Sequence, residues 1–370
     1  ASGGYMLSSL NAMRYPLSDT TTGASIAIGA SALSGQTSSA AYNNTAVGYQ
    51  AIGTGTLTTA ATANTALGYQ ALKANTSGSS NVAVGNGVLG SNTSGSQNNA
   101  LGSGTMAANT TGSNNTALGH AAAQNNGTGS NNTALGYVAL FSNVGAQEST
   151  AVGYSAMRYA NSTISNTVTY NTAVGAYALQ GSTTASVNTG THNTAVGHSA
   201  LTNIRSGAQN TAVGSNALAA NLFGTSNNAF GYYALATATG GSSGQNSAFG
   251  SFALSQNKTG SANQAFGNYS LSNNTSGVSN TAIGYYALYQ NTTGSYNIGI
   301  GDFTGGLHSA SINNISIGFA AMSGSATGSN NNAVGTRAMG NVTVASSNSA
   351  FGTQAMFGST DSYSGAAISA

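Results

Sequence analysis

The sequence repeats itself at a fixed spacing around the motif Asn-Thr-Ala-Val-Gly. Nineteen copies occur, and 13 of the 18 intervals between successive copies are 17 residues long. Positions within a copy are numbered here from the glycine that ends the motif, the register glycine, which is position 0. A fixed period of this length is typical of a solenoid, in which each repeat forms one coil that stacks on its neighbours. The register glycines are Gly29, Gly48, Gly68, Gly85, Gly102, Gly119, Gly136, Gly153, Gly175, Gly197, Gly214, Gly231, Gly250, Gly267, Gly284, Gly301, Gly318, Gly335 and Gly352.

The longer intervals add their extra residues at one place in the repeat. Five intervals measure 19 to 22 residues, and the additions fall between about positions +5 and +13. A surface loop can lengthen at little entropic cost, whereas the stacked strands must keep their register. We therefore expect the insertions to occupy one edge of the coils.

Two columns of large apolar residues run through the repeat. Position −1 is apolar in all 19 copies, and position +4 is Leu, Ile or Met in 17 of them. We predict that both columns form buried ladders. Position −2 is Ala in 17 copies, and neighbouring strand residues point to opposite faces.

A column that accepts only small side chains indicates that another backbone packs close to it. A single coil of this size offers a modest core against the entropy lost on folding. We therefore predict that chains associate through the Ala-rich face. The residues predicted at this close-packing interface are Ala46, Ala66, Ala83, Ala117, Ala134, Ala151, Ala195 and Ala212.

Glycine marks the corners of the predicted coil. The register glycine ends a strand, and a second glycine near position +10, such as Gly78 or Gly95, follows Asn-Thr-Ser or Asn-Thr-Thr. Glycine supplies positive φ without a steric penalty, so both are predicted as turns. The fold prediction is an all-β parallel β-solenoid, or β-roll, of about 19 coils with two short strands each and no helices. At a strand spacing of about 4.8 Å it would be a rod about 90 Å long.

The two ends of the chain depart from the repeat. We divide the chain into an N-terminal cap or joining segment, residues 1–23, a solenoid domain, residues 24–356, and a C-terminal tail or joining segment, residues 357–370. Open strand edges of a solenoid must be covered or paired. Both segments could cap the rod, or they could join it to another subunit.

Charge is almost absent from this chain. Only 10 of 370 residues are charged, 40% are hydrophobic, and Cys and Trp do not occur. This composition is unlike that of ordinary enzymes and is too apolar for a disordered chain. The six Lys and Arg residues are scattered, so no nucleic-acid surface is expected. The sequence contains no apolar run of about 18 residues, so no membrane insertion is expected.

The repeat resembles a known group of surface proteins. Residues 24–33, Ala-Ser-Ile-Ala-Ile-Gly-Ala-Ser-Ala-Leu, are similar to the YadA-like head repeats of trimeric autotransporter adhesins. Residues 44–51, Asn-Thr-Ala-Val-Gly-Tyr-Gln-Ala, are similar to the repeat arrays of phage tail fibres and bacterial surface fibres. The resemblance covers residues 24–356 and implies a left-handed, trimeric parallel β-roll used as an extracellular shaft or adhesive head. The adhesin heads have a shorter period, and this chain contains no neck motif or heptad stalk.

Few residues here can carry chemistry. The acids Asp19, Glu148, Asp302 and Asp361 are far apart, which argues against the carboxylate pair of a glycoside hydrolase. The histidines are His120, His192, His198 and His308, and the carboxylate or thiolate ligands that would complete a metal site are missing. We predict no catalytic residue, no cofactor and no metal site.

Aromatic residues gather just after the register glycine. Position +1 is often Tyr, and position +2 is Tyr or Phe in several copies. Rings in such columns could stack on sugars or on another subunit, or they could stack on one another and cover the strand edges. The aromatics predicted to contact a ligand or subunit are Tyr49, Tyr69, Tyr137, Tyr154, Tyr232, Tyr233, Tyr285 and Tyr286.

These observations favour a non-enzymatic structural role. The predicted function is a structural component of an extracellular fibre or filament, with surface attachment as an additional role. The first alternative is a receptor- or glycan-binding adhesin head or phage tail fibre, and the second is a polysaccharide depolymerase. The predicted partners are further copies of the chain, as a trimer or filament, and a cell-surface glycan. The predicted location is extracellular, on a cell surface or a virion.

Overall fold

The structure is a computed structural model. It describes residues 13–14, 25–36, 41–159, 167–184, 187–240, 243–305, 309–324, 328–342, 346–358 and 367–369. The chain divides into two compact units, Ala1–Thr189 and Gly190–Ala370. Both units are parallel β-solenoids that follow the 17-residue period, and together they comprise about 19 coils.

The first unit is built on one short strand per coil. From the second strand onwards, each strand covers positions −3 to −1 of the repeat and pairs in parallel with strands of neighbouring coils within the unit, for example Ala66 with Ala83. The strands are β1 (Met13–Arg14), β2 (Ile26–Ile28), β3 (Thr45–Val47), β4 (Thr65–Leu67), β5 (Val82–Val84), β6 (Asn99–Leu101), β7 (Thr116–Leu118), β8 (Thr133–Leu135), β9 (Thr150–Val152) and β10 (Thr172–Val174).

The second unit repeats this arrangement. Equivalent positions again lie side by side, as in the pairing of Ala212 with Ala229. The strands are β11 (Thr194–Val196), β12 (Thr211–Val213), β13 (Asn228–Phe230), β14 (Ser247–Phe249), β15 (Gln264–Phe266), β16 (Thr281–Ile283), β17 (Ile298–Ile300), β18 (Ile315–Ile317), β19 (Asn332–Val334), β20 (Ser349–Phe351) and β21 (Ala367–Ser369).

The prediction of two strands per coil is wrong for the described residues, because outside positions −3 to −1 the coils there consist of turns, bends and irregular segments, with an isolated bridge between Gln147 and Val168. Hydrogen bonds between coils nevertheless continue through these turns. The N–H of Gly87 donates to the carbonyl of Tyr69 at 2.8 Å, and the N–H of Thr76 donates to the carbonyl of Thr93 at 2.9 Å. The backbone of a coil is therefore tied to its neighbours on several sides, although only three residues form a strand.

Residues other than glycine also adopt positive φ at the corners of the coil. The register glycine has positive φ, as expected, for example +133° at Gly136. Positions +2 and +4 adopt the left-handed conformation too, mostly without glycine, as at Gln70 (φ +56°) and Leu72 (φ +52°). A left-handed residue other than glycine costs roughly 1–2 kcal/mol. The buried contacts of position +4 must offset this cost.

The glycine near position +10 serves close packing rather than positive φ. A Cβ on Gly78 would lie 2.3 Å from the carbonyl oxygen of Gly95 and 2.6 Å from Oδ1 of Asn75. Gly78 is not among the residues with positive φ. The predicted turn therefore needs glycine because the neighbouring coil leaves no room for a side chain.

The core lies inside the coils of each unit and is made of narrow columns. The predicted +4 ladder is confirmed: Leu72, Leu89 and Leu140 are fully buried. The Ala residues at positions −2 and +3 line the same interior, as Ala66 and Ala71 show. The predicted burial of position −1 is wrong, because none of its 19 residues is buried. The two strand faces are opposite, as predicted, but the small residues are inside and the large ones outside.

Short strands from both terminal segments pair with the outermost coils. Strand β1 runs antiparallel to β2, with Arg14 opposite Ala27. Strand β21 runs parallel to β20, with Ile368 opposite Ala350. Both terminal segments thus extend the backbone pairing of the adjacent coil, and their role as caps or as joining segments stays a prediction. In the part of the chain that the structure describes, no helix is long and apolar enough to cross a membrane.

Candidate functional site

The Ala residues predicted as an interface between chains lie inside the solenoid. Their exposed fractions are at most 2%, so their side chains contact the interior of their own chain. An interface through this column is therefore wrong. The close packing that the small residues indicated lies within the chain: at Gly299, which occupies the same column, a Cβ would lie 2.8 Å from Cγ of Leu288 and 3.0 Å from Oγ1 of Thr304. The residues that were predicted at an interface and are buried within their own chain are Ala46, Ala66, Ala83, Ala117, Ala134, Ala151, Ala195 and Ala212.

The surface of the strand side is instead formed by position −1. We call these 19 residues, from Ile28 to Phe351, the outer apolar column. Leu67 is 47% exposed, Leu118 46% and Ile283 42%. Position −3, most often Thr, points to the same side. Positions −3 and −1 carry no charged residue in any copy. The result in each unit is a narrow, uncharged and largely apolar surface.

The outer apolar column changes character along the second unit. Three successive coils carry Phe230, Phe249 and Phe266 at position −1. Their rings stack in parallel, with centroids 4.7 Å and 4.9 Å apart and interplanar angles of 7° and 10°. This spacing equals the separation of stacked strands. The in-register backbone therefore places identical side chains in contact from coil to coil.

The predicted aromatic residues of the first unit form short stacks at position +1. Tyr49 and Tyr69 stack with centroids 5.5 Å apart. Tyr137 stacks on Tyr154 at 5.4 Å, and His120 stacks on the other face of Tyr137 at 5.3 Å. The structure thus brings four of the predicted aromatics together in pairs and adds a histidine to one of the stacks.

The second unit carries a longer ladder at position +2. Tyr233, Phe252, Tyr269, Tyr286 and Phe303 stack in order, with centroids 4.8 to 5.8 Å apart. The predicted position +1 residues pack edge-on against this ladder. Tyr232 meets Tyr233 at 4.6 Å, and Tyr285 meets Tyr286 at 4.4 Å.

Tyr286 lies within this ladder and also packs edge-on against Tyr285 and Tyr289, at 4.4 Å and 4.7 Å. Desolvation by the surrounding side chains raises the pKa of its hydroxyl above the usual 10.0, and the nearby Tyr285 raises this pKa further. A neutral phenol is therefore favoured there at alkaline pH.

Self-stacking limits what these aromatics can bind. A ring that is stacked on both faces presents only its edge to solvent, whereas a sugar or a flat ligand stacks on a face. Rings inside the second-unit ladder, such as Tyr269, are covered on both faces. The interpretation that the aromatics ladder on one another therefore holds for most of them, and free faces remain at the ends of the stacks.

The acids and histidines do not form a reactive cluster in the described residues. Glu148 belongs to the first unit and Asp302 to the second, and Asp302 accepts the backbone N–H of Tyr285 through Oδ1 at 2.8 Å. Asp19, Asp361 and His308 lie outside the described residues. Among the residues described, no group of three or more His, Cys, Asp or Glu side chains could hold a metal ion.

Two buried asparagine ladders were missed by the sequence reasoning. The first is position −4, which is Asn in 17 copies. The Oδ1 of Asn81 accepts two hydrogen bonds from Asn98, one from the backbone N–H at 3.0 Å and one from Nδ2 at 3.1 Å. The Nδ2 of Asn98 also donates to the carbonyl of Gly112 at 2.9 Å. Each side chain thus satisfies buried backbone groups of the next coil.

The second ladder is at position +7 and meets the first one at the turn. The Nδ2 of Asn109 donates to Oδ1 of Asn92 at 2.8 Å and to the carbonyl of Gly112 at 3.0 Å. Gly112 therefore accepts from both ladders. The signal for the first ladder was visible in the sequence, because Asn recurs in 17 copies at position −4, whereas position +7 is Asn in only 9 of the 19 copies.

Comparison of the chain with family models, with curated proteins and with solved structures gave no match. The functional interpretation therefore rests on the geometry of the outer columns. This geometry provides an uncharged apolar strip, stacks of aromatic rings and a continuous hydrogen-bonded core, and these features suit binding and assembly.

Proposed function

We propose that this protein is a structural component of an extracellular fibre or filament, and that copies of the chain associate through the outer apolar column. The observation that carries the proposal is the exposure of large apolar side chains along the whole repeat, on a surface without charge. The trimeric state and the extracellular location are supported by the resemblance to adhesin heads and tail fibres, and both are part of the proposal.

The size of the surface supports association. Nine stacked strands of one unit at about 4.8 Å give a strip about 43 Å long, and three extended residues give it a width of about 10 Å. The strip of one unit therefore offers roughly 430 Å². Apolar patches of this size on soluble proteins usually mark interaction sites.

The composition of the surface supports association between identical chains. Depletion of charge at the centre of an interface and enrichment of aromatic residues are typical of protein contacts. The strip has both properties, since positions −3 and −1 lack charge and position −1 includes Phe230, Phe249 and Phe266. A regular spacing repeated from coil to coil also allows one strip to match another over many coils.

The solenoid core supports a structural role. Within each unit, parallel backbone pairing and the +4 ladder run from coil to coil, and the asparagine ladders join many of the same coils. Such repeats gain stability from each neighbouring interface. Because few charged groups contribute, we expect the stability to depend little on salt. A melting temperature that falls steeply at high salt would contradict this part of the proposal.

The first experiment is electron microscopy of the purified protein together with its mass in solution. Discrete elongated particles with the mass of three chains support a trimeric fibre segment. Indefinite filaments support a filament subunit. A protein that stays monomeric at micromolar concentration overturns the proposal.

Two double variants test whether the outer apolar column is the interface between chains. Replacement of Ile283 and Ile300 by Lys places like charges on adjacent coils of the outer apolar column. Both residues are exposed, at 42% and 36%, so the fold should persist while association is lost. The control replaces the exposed Gln256 and Gln290 at position +6 by Lys. Assembly retained by Ile283→Lys/Ile300→Lys, with an unchanged circular dichroism spectrum, would rule out this surface.

A further inference from the structure

The aromatic columns of the first unit are interrupted between Tyr69 and His120. In the two coils between them, position +1 is Asn86 and then Ser103, and position +2 is Gly87 and then Gly104. These are the only two copies in the sequence with glycine at position +2. The missing side chains leave a depression in the outer surface that is two coils wide.

The space above the two glycines is open. A Cβ on Gly87 would meet no heavy atom within 4 Å, and a Cβ on Gly104 would meet only Nε2 of Gln124, at 3.9 Å. The register glycine of the same coil is different, because a Cβ on Gly102 would lie 2.7 Å from the backbone of Gly119. The glycines at position +2 therefore border solvent, and nothing in the packing requires them.

One wall of the depression is an aromatic face. His120 is exposed and stacks on Tyr137 with one face only, at 5.3 Å and 13°. The coil before it has Ser103 at the same position, and the serine side chain is too short to cover the second face of the imidazole. The stack of His120, Tyr137 and Tyr154 thus ends in a ring face that looks into the depression.

The opposite end of the depression is Asn86, an exposed residue at the same position of the repeat. Asn86 and His120 lie two coils apart, which is about 9.6 Å along the stack. A flat ring in van der Waals contact on both faces needs about 7 Å to 8 Å. One ring therefore fits between Asn86 and His120, above Ser103 and Gly104. We call this space the His120 slot.

The chemistry of the His120 slot points to a neutral sugar. Its aromatic face carries partial negative charge that attracts polarised C–H groups. Asn86, Ser103 and Gln124 supply neutral donors and acceptors around the edge, and no charged side chain belongs to the slot. A purely aromatic ligand would leave these polar groups unmatched. We propose that the His120 slot binds a pyranose ring of a neutral polysaccharide.

The proposal is tested with the 370-residue chain and three soluble neutral probes: cellotetraose, maltotetraose and tetra-N-acetylchitotetraose. The readout is the NMR shift of the His120 ring C–H groups in protein labelled at histidine. We expect at least one probe to move these signals and to saturate, with a Kd in the millimolar range or tighter. If the His120 signals do not shift with any probe at about 10 mM, ten times a millimolar Kd, the proposal is overturned. Binding of L-tryptophanamide at this site without binding of any sugar would overturn it as well.

Filling the slot provides the decisive variant. Ser103→Tyr should extend the ring column, as Tyr does at position 137, and should weaken binding of the active probe at least tenfold while the fold persists. The matched control is Thr336→Tyr, an exposed position +1 residue of the second unit, which should bind as the wild type does. Equal affinity of Ser103→Tyr and the wild type would refute the site.

The test is independent of the assembly proposal. The Ile283→Lys/Ile300→Lys variant alters the second unit only, so it should bind the probe with wild-type affinity. If assembly fails while binding persists, only the fibre proposal is affected. If binding fails while assembly persists, only the His120 slot is ruled out.

Discussion

The two sides of the strand in each coil follow different rules. On the inner side, position −2 is Ala in 17 copies and position −4 is Asn in 17, and both columns are buried, as at Ala117 and Asn98. On the outer side, position −1 varies among Ile, Val, Leu and Phe, and position −3 varies even more. Strict identity marks the inside here because the space within a coil is fixed, whereas larger apolar residues are accepted where the surface is open.

This comparison also revises the argument for association. The expectation that a single roll is too thin to stand alone led to the Ala face as an interface. The Ala columns, the +4 ladder and the asparagine ladders line the interior of the coil instead. The proposed association therefore uses the outer side, and the following experiments compare inner and outer residues that are matched as closely as the chain allows.

The largest contrast is expected between two glycines of the first unit. In Gly136→Ala, the new Cβ lies 2.5 Å from the carbonyl oxygen of Gly153, at φ +133°. Backbone strain and overpacking should together lower the free energy of unfolding by about 4 kcal/mol. Gly87→Ala enters open space at φ +65° and should cost about 1 kcal/mol. Guanidinium unfolding followed by circular dichroism measures both, and equal costs would contradict the packing described here.

The second contrast enlarges a side chain on the inner side of one strand and shortens its neighbour on the outer side. Ala117→Leu forces three extra carbon atoms into a column that is 2% exposed, and overpacking should cost about 3 kcal/mol. Leu118→Ala removes a side chain that is 46% exposed, and it should change the free energy of unfolding by less than about 1 kcal/mol. The comparison requires protein dilute enough to be monomeric. A larger loss for Leu118→Ala would mean that the assignment of sides is reversed.

The third contrast tests the asparagine ladder with adjacent residues. Asn98→Ala removes the acceptor for the buried N–H and Nδ2 of Asn115, which lie 3.1 Å and 3.0 Å from its Oδ1. Unsatisfied buried donors should cost about 2–3 kcal/mol in total. Asn99→Ala, on the outer side, should cost less than about 0.5 kcal/mol. Hydrogen exchange would add a local readout, since the amide of Asn115 should lose protection only in Asn98→Ala.

The smallest effect is expected in the aromatic ladder of the second unit. Because the pKa of Tyr286 is raised above 10.0 in the folded state, its hydroxyl ionises more readily in the unfolded chain. Its contribution to stability is thus complete below pH 10 and is lost as the pH rises through the raised pKa. The melting temperature of Tyr286→Phe should fall less between pH 9 and pH 11 than that of the wild type. Parallel curves for the two proteins would contradict this assignment.

Much of the fold could be predicted because each coil repeats the same pattern of glycine, small and large apolar residues. The strand that ends before the register glycine, the turn at that glycine and the buried +4 ladder all followed from the sequence. The functional surface was harder to predict. Tyr137 and Tyr154 were identified, but the His120 face that ends their stack was not, because its availability depends on short residues at Ser103 and Gly104 in the preceding coil.

By itself, the sequence determined the period, the all-β parallel stacking, the strand in each coil and the opposition of the −2 and −1 side chains. These features depend on spacing along the chain and on the alternation of strand residues. Only the tertiary structure decided which of the two sides faces inward, that one strand per coil is enough, and that Asn fills part of the core. The alternation of side chains along a strand separates two faces, but it does not determine which face lies inside the coil. That choice depends on the width of the closed coil, in which Ala and hydrogen-bonded Asn fit and a column of Phe, Ile or Leu at position −1 does not.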